Sequence, residues 1–124
     1  MGNVYVFLIV FRKRCKRLHY RIIKEERKNI MEKLLCPSMM CANYRNLEKE
    51  VNDLIEAGVD IFHIDIMDGQ FVPNFGMGLQ DVEYICKAST IPVDAHLMIE
   101  NPGNYVEKFA KLGIDIIYIH PESD

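Results

Sequence analysis

Polar and apolar side chains alternate from residue 62 to residue 66, and this pattern predicts a β-strand with one apolar face and one polar face. Successive side chains of a strand point to opposite sides of the sheet, so His63, Asp65 and Met67 lie together on one side. The dipeptide Asp68-Gly69 follows and signals a turn, which puts the imidazole and the carboxylate near the carboxyl end of the strand. In α/β folds, functional groups gather at the carboxyl ends of the strands.

Strand-like and helix-like segments alternate from residue 34 onward. Short apolar runs predict four strands, at residues 34–40, 61–67, 91–98 and 114–120. Apolar residues at helical spacing predict three helices between these strands. The first helix starts at Asn43 or Asn46 and ends at Gly58. The third starts at Asn101, which is followed by proline, and ends at Gly113. This order predicts βαβ units on a parallel sheet, which is an α/β fold.

The charge distribution divides the chain near residue 30. Residues 1–33 hold ten Lys or Arg and three Glu, whereas residues 34–124 hold five Lys or Arg and fifteen Asp or Glu. We therefore expect an N-terminal extension at residues 1–30 that is not part of the fold. The remainder, residues 31–124, is long enough for one folded domain, and Met31 is its expected start.

The expected extension contains an apolar run at residues 4–11 followed by a basic run at residues 12–17. The apolar run is shorter than the roughly 20 residues of a membrane span, and its basic flank is on the wrong side for a signal peptide. We expect no membrane span and, without a nucleic-acid motif, no nucleic-acid partner. A membrane-surface anchor stays open. The four cysteines lack Cys-x-x-Cys spacing, which favours reduced thiols and a cytoplasmic protein.

A second polar pair, Asp94 and His96, shares one face of the strand predicted at residues 91–98. If that strand lies beside the one bearing His63 and Asp65, two imidazoles and a carboxylate come together. Such a set suits one divalent metal ion, Zn, Fe, Mn or Co. Asp94 would orient His96 or add a ligand. The alternative is that these residues bind no metal. His63 and His96 would then be hydrogen-bonded strand histidines, and the carboxylate of Asp65 would support a turn.

Five segments in register carry a resemblance to a known family. They are Pro37-Ser38 and residues 63–69, 71–74, 94–98 and 120–122. With these segments, residues 34–124 resemble the amino-terminal half of the ribulose-phosphate 3-epimerase family, which includes the allulose-6-phosphate 3-epimerases. The resemblance implies a (β/α)8 TIM barrel, of which this chain supplies about the first four βα units.

The resemblance also implies roles for individual residues. It implies that His63, Asp65 and His96 hold one divalent metal ion and that Asp65 is also the catalytic acid/base. Ser38 and His96 would contact the substrate. Met67 and Met98 would form an apolar wall beside the reacting centre. His120 takes the position of Asp65 in a weak internal repeat of residues 58–65 at residues 113–120, so we expect it to face inward as well, for substrate contact or for support.

The reaction implied by the resemblance interconverts D-ribulose 5-phosphate and D-xylulose 5-phosphate. A proton leaves carbon 3 and returns on the opposite face, through a metal-stabilised enediolate. The second acid/base and the phosphate-binding loops are implied to lie in later strands, outside these 124 residues. We therefore expect impaired activity from this chain alone, and self-association into a homo-oligomer.

Several alternatives stay open at this point. Met39-Met40-Cys41 is similar to the allulose-phosphate branch, whereas the helix and loop that follow fit the pentulose-phosphate branch as well. Gln70 stands where the family usually has histidine, so one polar contact near the site would differ. We favour the pentulose, and the hexulose stays open. A non-catalytic half-barrel remnant or interaction module is a second class. A non-haem iron oxygenase is a third, but it needs an all-β setting.

The glycines at positions 76 and 78 could cradle phosphate or make the loop flexible.

Overall fold

A computed structural model of the chain describes residues 7–10 and 34–124, and its centre is a four-stranded sheet. The strands are β1 (Phe7–Val10), β2 (Phe62–Met67), β3 (Val93–Met98) and β4 (Ile116–Ile119). Their spatial order is β1-β4-β3-β2. Strand β3 pairs in parallel with both β2 and β4, whereas β1 pairs antiparallel with β4. The predicted parallel α/β sheet is therefore confirmed for three strands.

A helix precedes each of the three parallel strands, as the periodicity predicts. The helices are α1 (Leu47–Glu56), α2 (Leu79–Ala88) and α3 (Val106–Leu112). Gly58 and Gly113 follow α1 and α3 with φ of 81° and 112°, a left-handed conformation that glycine adopts without steric cost. These alternating helices contradict the all-β setting that an iron oxygenase of the kind considered above would need.

The predicted start of the third helix is wrong by several residues. Asn101 has a φ of 51°, and Pro102–Asn104 form a short 3-10 turn before α3 begins at Val106. The amide of Tyr105 donates to the carbonyl of Pro102, which closes that turn. A similar turn, Tyr44–Asn46, precedes α1, with the Asn43 side chain accepting from the Arg45 amide.

The strand predicted at residues 34–40 is also wrong, because the structure keeps only an isolated parallel bridge between Ser38 and His63. The His63 amide donates to the carbonyl of Pro37 at 3.0 Å. Proline has no amide hydrogen for a longer ladder, and residues Met39–Cys41 turn away in a 3-10 turn. One bridge is enough to place Ser38 beside β2.

Strand β1 lies within residues 1–30, the predicted N-terminal extension, and pairs with the edge of β4. Phe7 is opposite Ile119 and Val10 is opposite Ile116, so these four residues cover the edge of β4. The exposed edge of a strand offers unpaired backbone groups, which is the physical reason for an added strand there. The basic run at residues 12–17 and the expected start at Met31 lie outside the described residues, so the division at residue 30 stays a prediction.

The core lies between the sheet and the three helices. Alternate strand residues, among them Phe62, Ile64 and Leu97, are fully buried, as are Val82 and Ile85 of α2. The opposite face of the sheet carries the partly exposed polar side chains of β2. The alternation of β2 thus separates a packed apolar face from a face that is open to ligands. Within the described residues, no helix has the length and apolar character that crossing a membrane requires.

Candidate metal centre

Two neighbouring parallel strands bring His63, Asp65 and His96 together. In the β2–β3 register His63 is opposite Asp94, and Asp65 is opposite His96. Oδ1 of Asp65 lies 3.2 Å from Nε2 of His63 and 3.8 Å from Nδ1 of His96. One potential ligand atom from each of the three residues lies within 4.8 Å of the others. Both the predicted shared face and the predicted strand pairing are present.

Asp94 contacts His63, so the expectation that it orients His96 is wrong. Its carboxylate is buried, and Oδ1 lies 2.5 Å from Nδ1 of His63. This hydrogen bond raises the pKa of His63, against the opposing effect of partial burial. Because a carboxylate accepts, Nδ1 of His63 carries the proton and Nε2 is left to face Asp65. The parallel register, which pairs Asp94 with His63, is the cause of this contact.

Asp65 is held on both of its oxygens. The hydroxyl of Ser38 donates to Oδ2 at 2.7 Å, and the two imidazoles lie beside Oδ1. The isolated bridge between Ser38 and His63 places the hydroxyl at this point. A carboxylate restrained in this way is pre-oriented toward a metal ion or ligand bound on the open face of the sheet.

The far side of the His96 ring contacts His120. The two Nε2 atoms are 2.7 Å apart, and the ring centroids are 4.8 Å apart. Phe71 packs against His120 with a centroid distance of 5.1 Å. Burial lowers the pKa of His96, and the neighbouring His120 lowers it further. Both effects favour the neutral imidazole, which is the form that binds a metal.

The two predicted wall residues, Met67 and Met98, are register partners at the carboxyl ends of β2 and β3. Alternation puts Met67 on the same side of the sheet as Asp65, and Met98 on the same side as His96. Both side chains are half-buried. The position agrees with an apolar wall beside the site, and the substrate-facing role itself stays a prediction.

Gly76 is a residue whose role the sequence pattern did not reveal. The loop after β2 folds back, with the Gly76 amide donating to the carbonyl of Met67 and the Met77 amide donating to the carbonyl of Asp65. A Cβ at position 76 would lie 2.5 Å from the Asp65 carbonyl oxygen. Gly78 donates its amide to Asp81. Since both glycine amides are already used, the phosphate-cradle interpretation of this loop is wrong.

Asp68 joins the loops that follow β2 and β3. One carboxylate oxygen accepts from the amides of Gln70 and Phe71, and the other accepts from the amide of Glu100. These hydrogen bonds lower the pKa of Asp68, and the bond from the Glu100 amide has the largest effect. The Asp-Gly pair signalled a turn, but nothing in the local sequence pointed to a partner 32 residues away.

The three-residue set fits a divalent cation. Two imidazoles and one carboxylate are ligands that zinc, iron, manganese and cobalt accept. His63 has its other ring nitrogen on a buried carboxylate, which is the usual support for a metal-binding histidine. The three side chains are partly exposed, so further ligands can approach from the open side.

The fold and this site define an α/β protein with a candidate metal centre near the carboxyl ends of parallel strands. Residues 34–124 match the profile of the Ribulose-phosphate 3 epimerase family, and the chain belongs to this family. It is 41% identical to the ribulose-phosphate 3-epimerase of Aquifex aeolicus over 92 residues. It is 43% identical over 89 residues to the ribulose-phosphate 3-epimerase of Bacillus subtilis, and 44% identical over 95 residues to that of Synechocystis.

These matches cover 72% to 77% of this chain and 40% to 41% of each relative. The chain therefore spans about two fifths of the length of the curated relatives that it matches. The resemblance carried by the five sequence segments is confirmed at the level of the family.

Proposed function

We propose that this protein is, or is part of, a metal-dependent ketose-phosphate 3-epimerase that interconverts D-ribulose 5-phosphate and D-xylulose 5-phosphate. The observation that carries the proposal is the Asp65 carboxylate, restrained between the Ser38 hydroxyl and two imidazoles on a chain of this family. The names of the relatives support the choice of the pentulose substrate.

In this proposal His63, Asp65 and His96 hold one divalent ion of zinc, iron, manganese or cobalt. When bound, such an ion supplies Lewis-acid stabilisation of negative charge on substrate oxygens. The protein's own contribution is to set the direction of the three ligands. Asp94 does this for His63 through the 2.5 Å hydrogen bond to Nδ1.

Asp65 acts as the general base in the proposed reaction. The carbonyl at carbon 2 of a ketose acidifies the proton on carbon 3, and a positioned carboxylate can remove it. The Ser38 hydroxyl at 2.7 Å keeps one oxygen of Asp65 in place, which leaves the other toward the site. Ser38 and His96 are proposed substrate contacts, and His120 is proposed either to contact the substrate or to support the site. Met67 and Met98 are the proposed apolar wall that keeps water from the reacting carbon.

Inversion needs a second acid on the opposite face of carbon 3. We propose that it comes from a later strand of a (β/α)8 barrel, of which residues 34–124 form about the first four βα units. Three parallel strands and the Ser38 bridge, with helices between them, support this architecture. The 124 residues alone would then show impaired turnover and a tendency to form homo-oligomers. We propose a cytoplasmic location, because one relative, from Oryza sativa, is named as a cytoplasmic isoform.

Proton exchange at carbon 3 tests the role of Asp65 without requiring the second acid. The chain is loaded with Zn²⁺, Fe²⁺, Mn²⁺ or Co²⁺ and incubated in D₂O with D-ribulose 5-phosphate, and proton NMR follows the carbon 3 signal. We expect the signal to decay, and we expect Asp65→Asn to abolish the decay. Asp53→Asn, on an exposed stretch of α1, is the matched control. Equal exchange in Asp65→Asn and the wild type would refute the assignment of the base.

D-allulose 6-phosphate is the second candidate substrate, because Met39-Met40-Cys41 follows Ser38 in this chain. Met39 is buried in the core, whereas Cys41 is exposed. Comparing exchange rates for the two ketose phosphates under the same conditions decides between them. Failure of both substrates, together with no binding of any of the four metals, would instead favour a non-catalytic interaction module.

A further inference from the structure

The side chains of His96 and His120 are in close contact. His96 lies in β3, and His120 directly follows the neighbouring strand β4. Their Nε2 atoms are 2.7 Å apart. Two ring nitrogens at this distance form a hydrogen bond only if one carries the proton and the other offers a lone pair. The contact therefore restricts the tautomers of both rings.

The direction of this hydrogen bond follows from the other nitrogen of His96. Nδ1 of His96 faces Oδ1 of Asp65 at 3.8 Å, inside the candidate metal centre. To bind a cation there, Nδ1 needs its lone pair, and a neutral imidazole then has its proton on Nε2. Nε2 of His96 is accordingly the donor, and Nε2 of His120 is the acceptor.

The same reasoning places the proton of neutral His120 on its Nδ1. Among the residues that the structure describes, this nitrogen is buried without a hydrogen-bond partner. Oε1 of the half-exposed Glu122 lies 3.4 Å away, and a small change in the Glu122 side chain would make it an acceptor. The Phe71 ring restricts His120 from another side. A buried donor is costly when it is unsatisfied, so a carboxylate two residues away is a stabilising neighbour.

His63 has an equivalent support. Its Nδ1 lies 2.5 Å from the buried carboxylate of Asp94, which leaves Nε2 toward the site. Histidines that bind metals generally donate their second ring N–H to a partner that sets the tautomer and the ring orientation. The partner of His96 is an imidazole instead of a carboxylate.

We propose that His120 is a positioning residue for His96: it accepts the Nε2–H of His96, keeps Nδ1 of His96 free to bind a cation, and donates its own Nδ1–H to Glu122. The proposal rests on the metal site of the proposed function. It assigns His120 a role through His96, in place of direct substrate contact.

The test uses the full 124-residue chain and two readouts. Long-range ¹H–¹⁵N NMR of metal-free protein, at a pH where His96 is neutral, reports which nitrogen of His96 carries the proton. Titration with Zn²⁺ alone reports affinity. We expect the Nε2–H tautomer of His96 in the wild type. His120→Phe removes the acceptor and keeps an aromatic ring, so we expect a shift toward the Nδ1–H tautomer and an affinity lowered about tenfold to a hundredfold.

His120→Gln is the conservative variant, because its amide oxygen can still accept from His96. We expect it to retain the wild-type tautomer and to restore most of the affinity. Glu122→Gln, which also keeps an acceptor, is expected to have a smaller effect than His120→Phe. Circular dichroism of each variant checks that it is folded, and His120→Gln keeps the test valid if His120→Phe is not.

Three results would overturn the proposal. The first is an Nδ1–H tautomer of His96 in the wild type, and the second is an unchanged tautomer in His120→Phe. The third is a loss of Zn²⁺ affinity in His120→Gln as large as in His96→Gln, which would make His120 a ligand. Failure of the proposed epimerase is a separate result, since absence of carbon 3 exchange leaves the tautomer and the affinity measurable.

Discussion

Asp94 and His63 are opposite each other in the β2–β3 register, and their side chains form a hydrogen bond of 2.5 Å on the open face of the sheet. Asp94 is almost fully buried, although it is an acidic residue. A buried carboxylate needs a partner, and the imidazole is that partner. The pair therefore links the stability of the sheet to the orientation of one candidate metal ligand.

Replacing Asp94 by Asn should weaken Zn²⁺ binding about tenfold, because the support for His63 loses its charge. The pKa of His63 should fall toward its usual value, since the hydrogen bond to Asp94 is the main cause of its rise. Calorimetric titration and NMR titration of the His63 ring measure the two effects. Asp60→Asn, before the start of β2, is the control. An unchanged His63 pKa in Asp94→Asn would contradict the prediction.

Much of the site could be predicted from local patterns. Alternation along β2 is enough to put His63 and Asp65 on one face, and the same rule applies to Asp94 and His96 on β3. The partner of Asp94 could not be predicted, because it depends on the parallel register between strands that lie about 30 residues apart in sequence. Register is a tertiary property, and one residue of slip would reverse every face.

Departures from the predicted elements have local physical causes. Pro37 removes a ladder donor, so a predicted strand becomes a single bridge at Ser38. The left-handed Asn101 delays α3 by a 3-10 turn. The close approach of Gly76 to Asp65 involves backbone atoms alone, so no side-chain pattern in the sequence could indicate it.

Gly76→Ala should destabilise the loop and disturb the site. The new methyl group would lie 2.5 Å from the Asp65 carbonyl oxygen and 2.8 Å from the Met67 nitrogen, so backbone must move. We expect a loss of about 1–3 kcal/mol in the free energy of unfolding, together with weaker Zn²⁺ binding. Gly78→Ala is a matched control two residues away, since its methyl group would meet only the Asp81 side chain at 3.4 Å. Equal unfolding midpoints in urea for both variants would refute this account.

The Asp68 carboxylate should make stability depend on acid pH. Its pKa is lowered in the folded state by backbone amides, of which that of Glu100 has the largest effect, so its contribution is present above the unfolded pKa of about 3.9. That contribution is lost as the pH falls through the lower folded value. Asp68→Asn should therefore flatten the decline of the urea midpoint below about pH 4. Asp53→Asn controls for removal of one surface carboxylate, and an unchanged pH profile in Asp68→Asn would count against the role of these bonds.

Ser38→Ala should slow carbon 3 exchange more than it affects folding. The hydroxyl donates to Oδ2 of Asp65 at 2.7 Å, and a hydrogen bond to a charged group contributes roughly 1.5 kcal/mol or more. If that energy orients the base, the exchange rate falls about tenfold. Ser89→Ala, which removes a hydroxyl bonded to the Ile91 carbonyl, controls for loss of a serine away from the site. Equal exchange rates in the two variants would show that Ser38 does not orient Asp65.

Deleting residues 1–30 should increase self-association, because it removes β1 from the edge of β4. That edge then presents the unpaired backbone groups of Ile116–Ile119 to other chains. Sedimentation velocity at several protein concentrations measures the change, and the full chain is the reference. The matched control is the triple substitution of Arg12, Lys13 and Arg14 to Ser in the full chain, which changes the basic run and keeps β1. If the deletion variant and the full chain sediment identically, then β1 does not protect the edge, and a fold that begins after residue 30 is the better description.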